Sequence, residues 1–236
     1  NRLFAAPYIS LADVDHACSE LEKALTKDAR VLVMRPSAVY TRNGPRNPGA
    51  KDFDAFWSRV NEAGITVVAH IGQTRHDSNG YDLKNQDTLS MGTRPSVTNF
   101  QRPRNIMDFL ASLVFDKLFE RFPNVRIASV ENGSEFLHDA LRAFAHSRER
   151  TPSYYKEDPV ESFKQHVWIN PFWEDDIREV IDYMGADRVI VGSDWPHMEG
   201  LEHPRDILAE VEDIPLPVQE KILHDNAAAL NQRTGA

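Results

Sequence analysis

The chain has 236 residues, 41% hydrophobic and 27% charged, the balance of a globular protein with a sizeable core. A formal net charge of −9 argues against a nucleic-acid or anionic-membrane binder, because nothing in it would release phosphate counterions. Cys18 has no second cysteine to pair with, and no apolar run approaches the ~20 residues that span a bilayer. The opening "NRLFAAPYIS" has neither the basic start nor the small-residue cleavage site of a signal peptide, so a cytoplasmic, reducing setting is expected.

The first residue is Asn1, and the chain at once reads as a strand, "RLFAAPYI" (2–9). "LADVDHACSELEKALTK" (11–27) follows at helical period, with Leu11, Val14, Cys18, Leu21 and Leu25 on one face. "RVLVMR" (30–35) is a second strand, "KDFDAFWSRVNEAG" (51–64) a helix stopped by Gly64, and "ITVVAH" (65–70) a third strand. A helix over 105–123 ends at Pro123. Strand 125–131 and helix 134–150 come next, then strand 166–171 and helix 174–185. "RVIVGS" (188–193) is the sixth strand, and helices over 203–213 and 217–232 close the chain. The mixed charges of 146–161 read as a solvated face.

Strands rich in Val and Ile with little alternation are buried on both faces, as parallel strands are. Repeated strand–helix units therefore give an α/β protein in a single domain over 1–236. The turns from helix to strand are tight at Gly64, Pro123 and Gly185, whereas 71–103 is long and polar. Short loops at one end and long loops at the other suit a (β/α)8 TIM-type barrel whose site lies at the carboxyl ends of the strands. An open doubly wound sheet would carry a glycine-rich phosphate turn after its first strand, and none follows any strand here.

The strands end on polar residues: His70, Glu131 with Asn132, Asn170, and Asp194 in "GSDWPH". A histidine and an aspartate from different strands, converging at one cup, are plausible ligands for a divalent ion. Each also has a structural reading. Asp194 can cap a turn before Pro196. His70 can be a neutral core histidine, Glu131 a helix start, Asn170 a turn former and His197 a surface residue. Trp195 has the best claim among the tryptophans to line a pocket.

"VIVGSDWPHMEG" (189–200) resembles the signature of the amidohydrolase-related group that contains aminocarboxymuconate-semialdehyde decarboxylase and the resorcylate-type decarboxylases. "FDKLFERFPNVRIASVENG", "ITVVAHIG" and "EKILHDNAAAL" are similar to other stretches of that group. The resemblance implies a (β/α)8 barrel in which His70 is the metal ligand of the fifth strand and Asp194 that of the eighth. The strands found here would then be strands three to eight. The family's first-strand His-x-His or Glu-x-His pair has no match, so the first two strands are expected to lie outside this chain. Many relatives place a histidine that meets the substrate where this chain has Glu131.

The resulting expectation is a metal-dependent hydrolase or non-oxidative decarboxylase of a small carboxylated organic substrate. His70 and Asp194 would hold the ion, zinc first and manganese second. Asp194 and Glu131 would move protons. Trp195, His197 and Asn170 would shape the pocket, and Arg75, His76, Arg94, Arg102 and Arg104 are candidate anion contacts. A metal-free acid/base pair of Glu131 and Asp194, or an inactive barrel-derived binding or scaffold protein, are the alternatives. No nucleic-acid or membrane partner is expected; exposed barrel edges would favour a homo-oligomer.

Overall fold

The computed structural model describes residues 4–72, 102–197 and 200–234. Four parallel strands form its sheet: β1 (Val31–Met34), β4 (Thr66–His70), β5 (Arg126–Val130) and β6 (Val167–Ile169), in the order β1-β4-β5-β6. Single parallel bridges extend this order at both edges, Tyr8 to Val33 and Ile169 to Val189. All six segments read as strands in the sequence thus lie side by side in chain order, with no reversal of the kind a doubly wound sheet has. The fold is α/β with a parallel sheet. A small antiparallel hairpin of β2 (Val39–Thr41) and β3 (Gly44–Arg46) was not expected.

Alternate residues explain why this sheet is stable. Leu32, Val67, Ala69, Ile127, Val167 and Ile169 are buried in one cluster with helix residues such as Leu21, Phe56, Trp57, Leu113 and Phe144. Each large side chain so buried contributes about 1.5–3 kcal/mol. Trp57 also satisfies its indole, donating from Nε1 to the Pro48 carbonyl at 2.8 Å. On the other face the in-register row is Val33, Val68, Ala128 and Trp168, of which Ala128 is buried and the rest partly covered.

Helices Val14–Thr26, Asp54–Ala63, Leu137–Arg150 and Ile177–Met184 fall where the periodicity puts them. The helix expected over 105–123 is two, Arg102–Phe115 and Leu118–Arg121, because Lys117 turns left-handed at φ 55°. Pro159–His166 is a further helix that the periodicity did not assign; Asp158 caps it by accepting from the N–H groups of Val160 and Glu161. Pro204–Val211 is a 3-10 helix, and the closing helix runs through a π-helical turn at Lys221–Asp225. The last turn of that helix crosses the amino ends of the strands. Thr66 donates to the Leu230 carbonyl, and Arg126 donates to the carbonyls of Gly64, Ala229 and Gln232. Among the described residues, no helix is long and apolar enough to cross a membrane.

Candidate metal and acid–base centre

The carboxyl ends of β4, β5 and the last strand segment bring four of the expected side chains together. His70 ends β4, and its Nε2 lies 3.0 Å from Glu131 Oε2. His197 Nδ1 lies 3.0 Å from Asp194 Oδ1. Ligand atoms of Glu131, Asp194 and His197 all fall within 4.8 Å of one another. Glu131 is therefore the hinge of the cluster, touching His70 on one side and facing Asp194 and His197 on the other. His197, expected to shape the pocket, lies directly against Asp194.

Local backbone chemistry delivers these groups. Glu131 and Asp194 both adopt left-handed φ, 59° and 54°, so each carboxylate swings away from the direction strand alternation would give it. Such backbone costs about 1–2 kcal/mol for an L residue and persists only where the surroundings enforce it. Around Glu131 the enforcing group is Asn132, which is buried and donates from Nδ2 to the carbonyls of Ala69 and Val130, both at 2.9 Å. That amide ties the end of β4 to the end of β5, and so ties His70 to Glu131.

Asn170 braces the other side. Its Oδ1 accepts from the Glu131 N–H at 3.5 Å, and its Nδ2 donates to the carbonyls of Pro171 and Ile190. Asp175 Oδ2 accepts from the N–H groups of Ser134 and Phe172, joining the loops after β5 and β6. Around Asp194, Leu201 donates its N–H to the Ser193 carbonyl and His197 donates to the Asp194 carbonyl, both at 2.9 Å. Gly200 makes that closure feasible: a Cβ there would stand 2.6 Å from the Ser193 oxygen.

The donor set fits a divalent cation. His70 Nδ1 faces the Ile71 carbonyl at 3.2 Å, an acceptor that keeps the proton on Nδ1 and leaves the Nε2 lone pair to a ligand. Two carboxylates with imidazole nitrogen are an N/O set suited to zinc or manganese. His70 and Asp194 belong to one cluster, linked through Glu131 rather than as a pair of their own.

Trp195, next to Asp194 in the chain, and Phe172 and Trp173, after β6, are exposed, and the Phe172 ring lies close over Gly133. Arg104 is exposed on the first turn of its helix with Nε 3.9 Å from Asp108. Arg75, His76 and Arg94 lie outside the described residues, and Arg102 opens the helix Arg102–Phe115. Arg35, which the sequence reading passed over, is the first residue past β1. A charged residue directly after an apolar strand run was the available signal. A cleft of about 450 Å³, lined by Arg126, His166, Trp168 and Arg188, opens at the opposite, amino ends of β5 and β6. It belongs to the underside of the sheet, away from the cluster.

A family model described as amidohydrolase matches residues 2–230. The chain belongs to the amidohydrolase family. Among solved structures, an amidohydrolase from Mycobacterium avium subsp. paratuberculosis K-10 superposes with a TM-score of 0.88 at 34% identity, over 98% of this chain and 58% of that one. This amidohydrolase chain thus spans well under two thirds of that relative's length. A 2,6-dihydroxybenzoate decarboxylase matches with a TM-score of 0.77 at 20% identity, over 98% of this chain and 71% of that one. A dihydroxybenzoic acid decarboxylase from Polaromonas sp. JS666, with bound manganese and 2-nitroresorcinol, matches with a TM-score of 0.73 at 19% identity, over 97% and 68%. At such identities these two show a shared fold.

Proposed function

We propose that this amidohydrolase is a divalent-metal-dependent enzyme acting on a small carboxylated organic substrate, by non-oxidative decarboxylation. We read its sheet as an arc of a (β/α)8 barrel, which the sequential parallel order supports. The observation that carries the functional reading is the convergence of His70, Glu131, Asp194 and His197 at one end of that sheet.

His70, Asp194 and His197 would hold the ion, with Glu131 at its edge. A divalent cation supplies Lewis acidity toward a water or a substrate oxygen. Loss of carbon dioxide requires a proton at the carbon that carried the carboxylate, and Glu131 or Asp194 can store and return that proton. Glu131 lies 3.0 Å from His70 Nε2 and Asp194 3.0 Å from His197 Nδ1, so each carboxylate has an imidazole within proton-transfer reach. Trp195, which follows Asp194, and Phe172, which lies over Gly133, are exposed flat apolar rings of the kind a planar substrate would stack on. The manganese of the Polaromonas relative makes manganese the first ion to test, before zinc.

Hydrolysis is the second reading, and Glu131 is what favours it. A carboxylate within reach of both Asp194 and His197 is placed to take a proton from an attacking water. The test is direct. The full-length protein is stripped of metal, reloaded with manganese or zinc, and assayed with 2,6-dihydroxybenzoate for released carbon dioxide and with aryl esters and amides for hydrolysis. Activity that survives complete metal removal overturns the proposal.

A further inference from the structure

Arg35 stands beside His70. Met34 pairs in parallel register with Ala69, so the next residue of each strand is Arg35 and His70, roughly 4.8 Å apart laterally. Val33 and Val68 are in-register partners two residues earlier, and alternation puts Arg35 and His70 on the same face as that pair. One face of the sheet therefore ends in an arginine side by side with the histidine of the candidate centre.

Two observations combine at this arginine. Among the described residues it has no acidic partner, as is also true of Arg42, Arg142 and Arg205, and unlike Arg126 and Arg188 its guanidinium donates to no backbone carbonyl. Its stem is nevertheless held. Gly72 crosses it so closely that a Cβ there would stand 3.2 Å from Arg35 Cγ and 3.3 Å from Nε. Asn105 donates to the Gly72 carbonyl at 3.4 Å, anchoring that turn to the helix Arg102–Phe115. A cation that is positioned but unpaired is poised for an anion from outside. Beside it opens a cleft of about 160 Å³, whose lining includes Tyr8, Ser10, Ser37, Tyr40 and Phe109.

The electrostatics call for such a group. The protein carries a net charge of −9, and Glu131 and Asp194 add two carboxylates where the substrate would sit. A second anion is repelled unless a fixed cation offsets it. Arginine's planar fork pairs with a carboxylate through two parallel N–H···O bonds. We propose that Arg35 is a specificity-determining residue of this site, gripping the substrate's carboxylate at the edge of the His70–Glu131–Asp194 cluster, with the cleft lined by Tyr8 and Tyr40 receiving the rest of that end of the molecule. The assignment rests on the carboxylated-substrate reading above.

The experiment measures binding by calorimetry in the full-length, manganese-loaded protein. The probes are salicylate with its uncharged counterpart phenol, and 2,6-dihydroxybenzoate with resorcinol. Arg35→Gln should weaken the acids roughly ten- to hundredfold and leave phenol and resorcinol unchanged. Arg35→Lys, which keeps the charge and loses the fork, should fall between. Manganese affinity and melting temperature should match the wild type in both variants. Equal binding of the acids by Arg35→Gln and wild type overturns the proposal, as does an equal loss for acids and phenols. So does a wild type that takes manganese but neither acid, which leaves the metal reading standing. A wild type that takes no manganese sinks the metal reading alone. The acid-minus-phenol difference is then read on the metal-free protein, where its loss in Arg35→Gln still supports the role of Arg35.

Discussion

Glu131 and Asp194 share a left-handed backbone, φ 59° and 54°, and bring their carboxylates from different strands into one small volume with His197. Two strained acidic residues meeting at one point is a costly arrangement. Like charges repel there, and each backbone is held about 1–2 kcal/mol above its relaxed form. Stability alone gives no reason to keep it.

Glycine at position 131 separates stability from function. Glu131→Gly relieves the left-handed strain at the cost of some unfolded-state entropy, for a net gain of about 0.5–1 kcal/mol. It also deletes the carboxylate that touches His70. Urea denaturation should show the variant as stable as wild type or more so, while turnover falls about 10²–10⁴-fold. A variant that is less stable, or that retains turnover, would contradict this account of the residue.

Asp194→Asn tests the carboxylate with the backbone preserved, because asparagine tolerates left-handed φ well. Melting temperature should stay within a few degrees. Metal affinity and turnover should both collapse, since the amide cannot bind a cation as a charged ligand. Asp194→Ala should lose the same functions and also about 1 kcal/mol of stability. Elemental analysis of the two purified variants, beside thermal melts, distinguishes them.

Much of this was legible in the residues. The apolar runs around Val31–Met34, Thr66–His70 and Arg126–Val130 announce parallel strands because both faces of them are at least partly buried. The edge segments read as full strands but form single bridges at Tyr8 and Val189, since among the described residues each pairs on one side only. Helix Pro159–His166 was hidden by its charges, although Asp158 and Pro159 are an N-cap and first-turn pair. His70, Glu131 and Asp194 could be picked out because each ends an apolar run. The pairing of His197 with Asp194 could not, because it depends on how the loop folds back at Gly200. Arg35 is harder to single out because its only sequence signal is a charge at the end of an apolar run, while the polar stretch after His70, most of it outside the described residues, holds several more obvious cations.

Asn132 should act as a brace. Its Nδ2 meets the Ala69 and Val130 carbonyls in a buried setting, and Val130 also accepts from the Ile71 N–H, so Asn132→Ala removes two tying hydrogen bonds and should cost about 1–2 kcal/mol. The loss should not stop at stability. With β4 and β5 no longer tied at their ends, His70 and Glu131 lose their fixed separation, and metal affinity should drop by more than the thermal shift alone produces. Calorimetric metal titration well below the melting temperature, compared with a destabilised control such as Trp57→Phe, checks this.

His166 gives a pH dependence with a definite sign. The ring is buried, stacks on Phe119 at 4.5 Å and donates from Nδ1 to the Val125 carbonyl at 2.8 Å. Burial pulls its pKa below the ordinary 6.5; the Val125 bond and Glu157 oppose that shift, and Arg188 reinforces it. The unfolded chain therefore takes up a proton near pH 6.5 that the folded protein refuses. Above that pH the ring is neutral in both states and contributes nothing. As the pH falls through 6.5, stability declines by up to about 1.4 kcal/mol per unit, until the folded pKa is passed and the decline stops. His166→Gln removes this titration. Its own stability will be lower at every pH, because the stacking on Phe119 is lost, but its curve between pH 7.5 and 5 should be flatter than the wild-type curve. Taking the difference between the two cancels every group the two proteins share. Parallel urea-denaturation curves across that range would show that burial does not hold the His166 ring neutral.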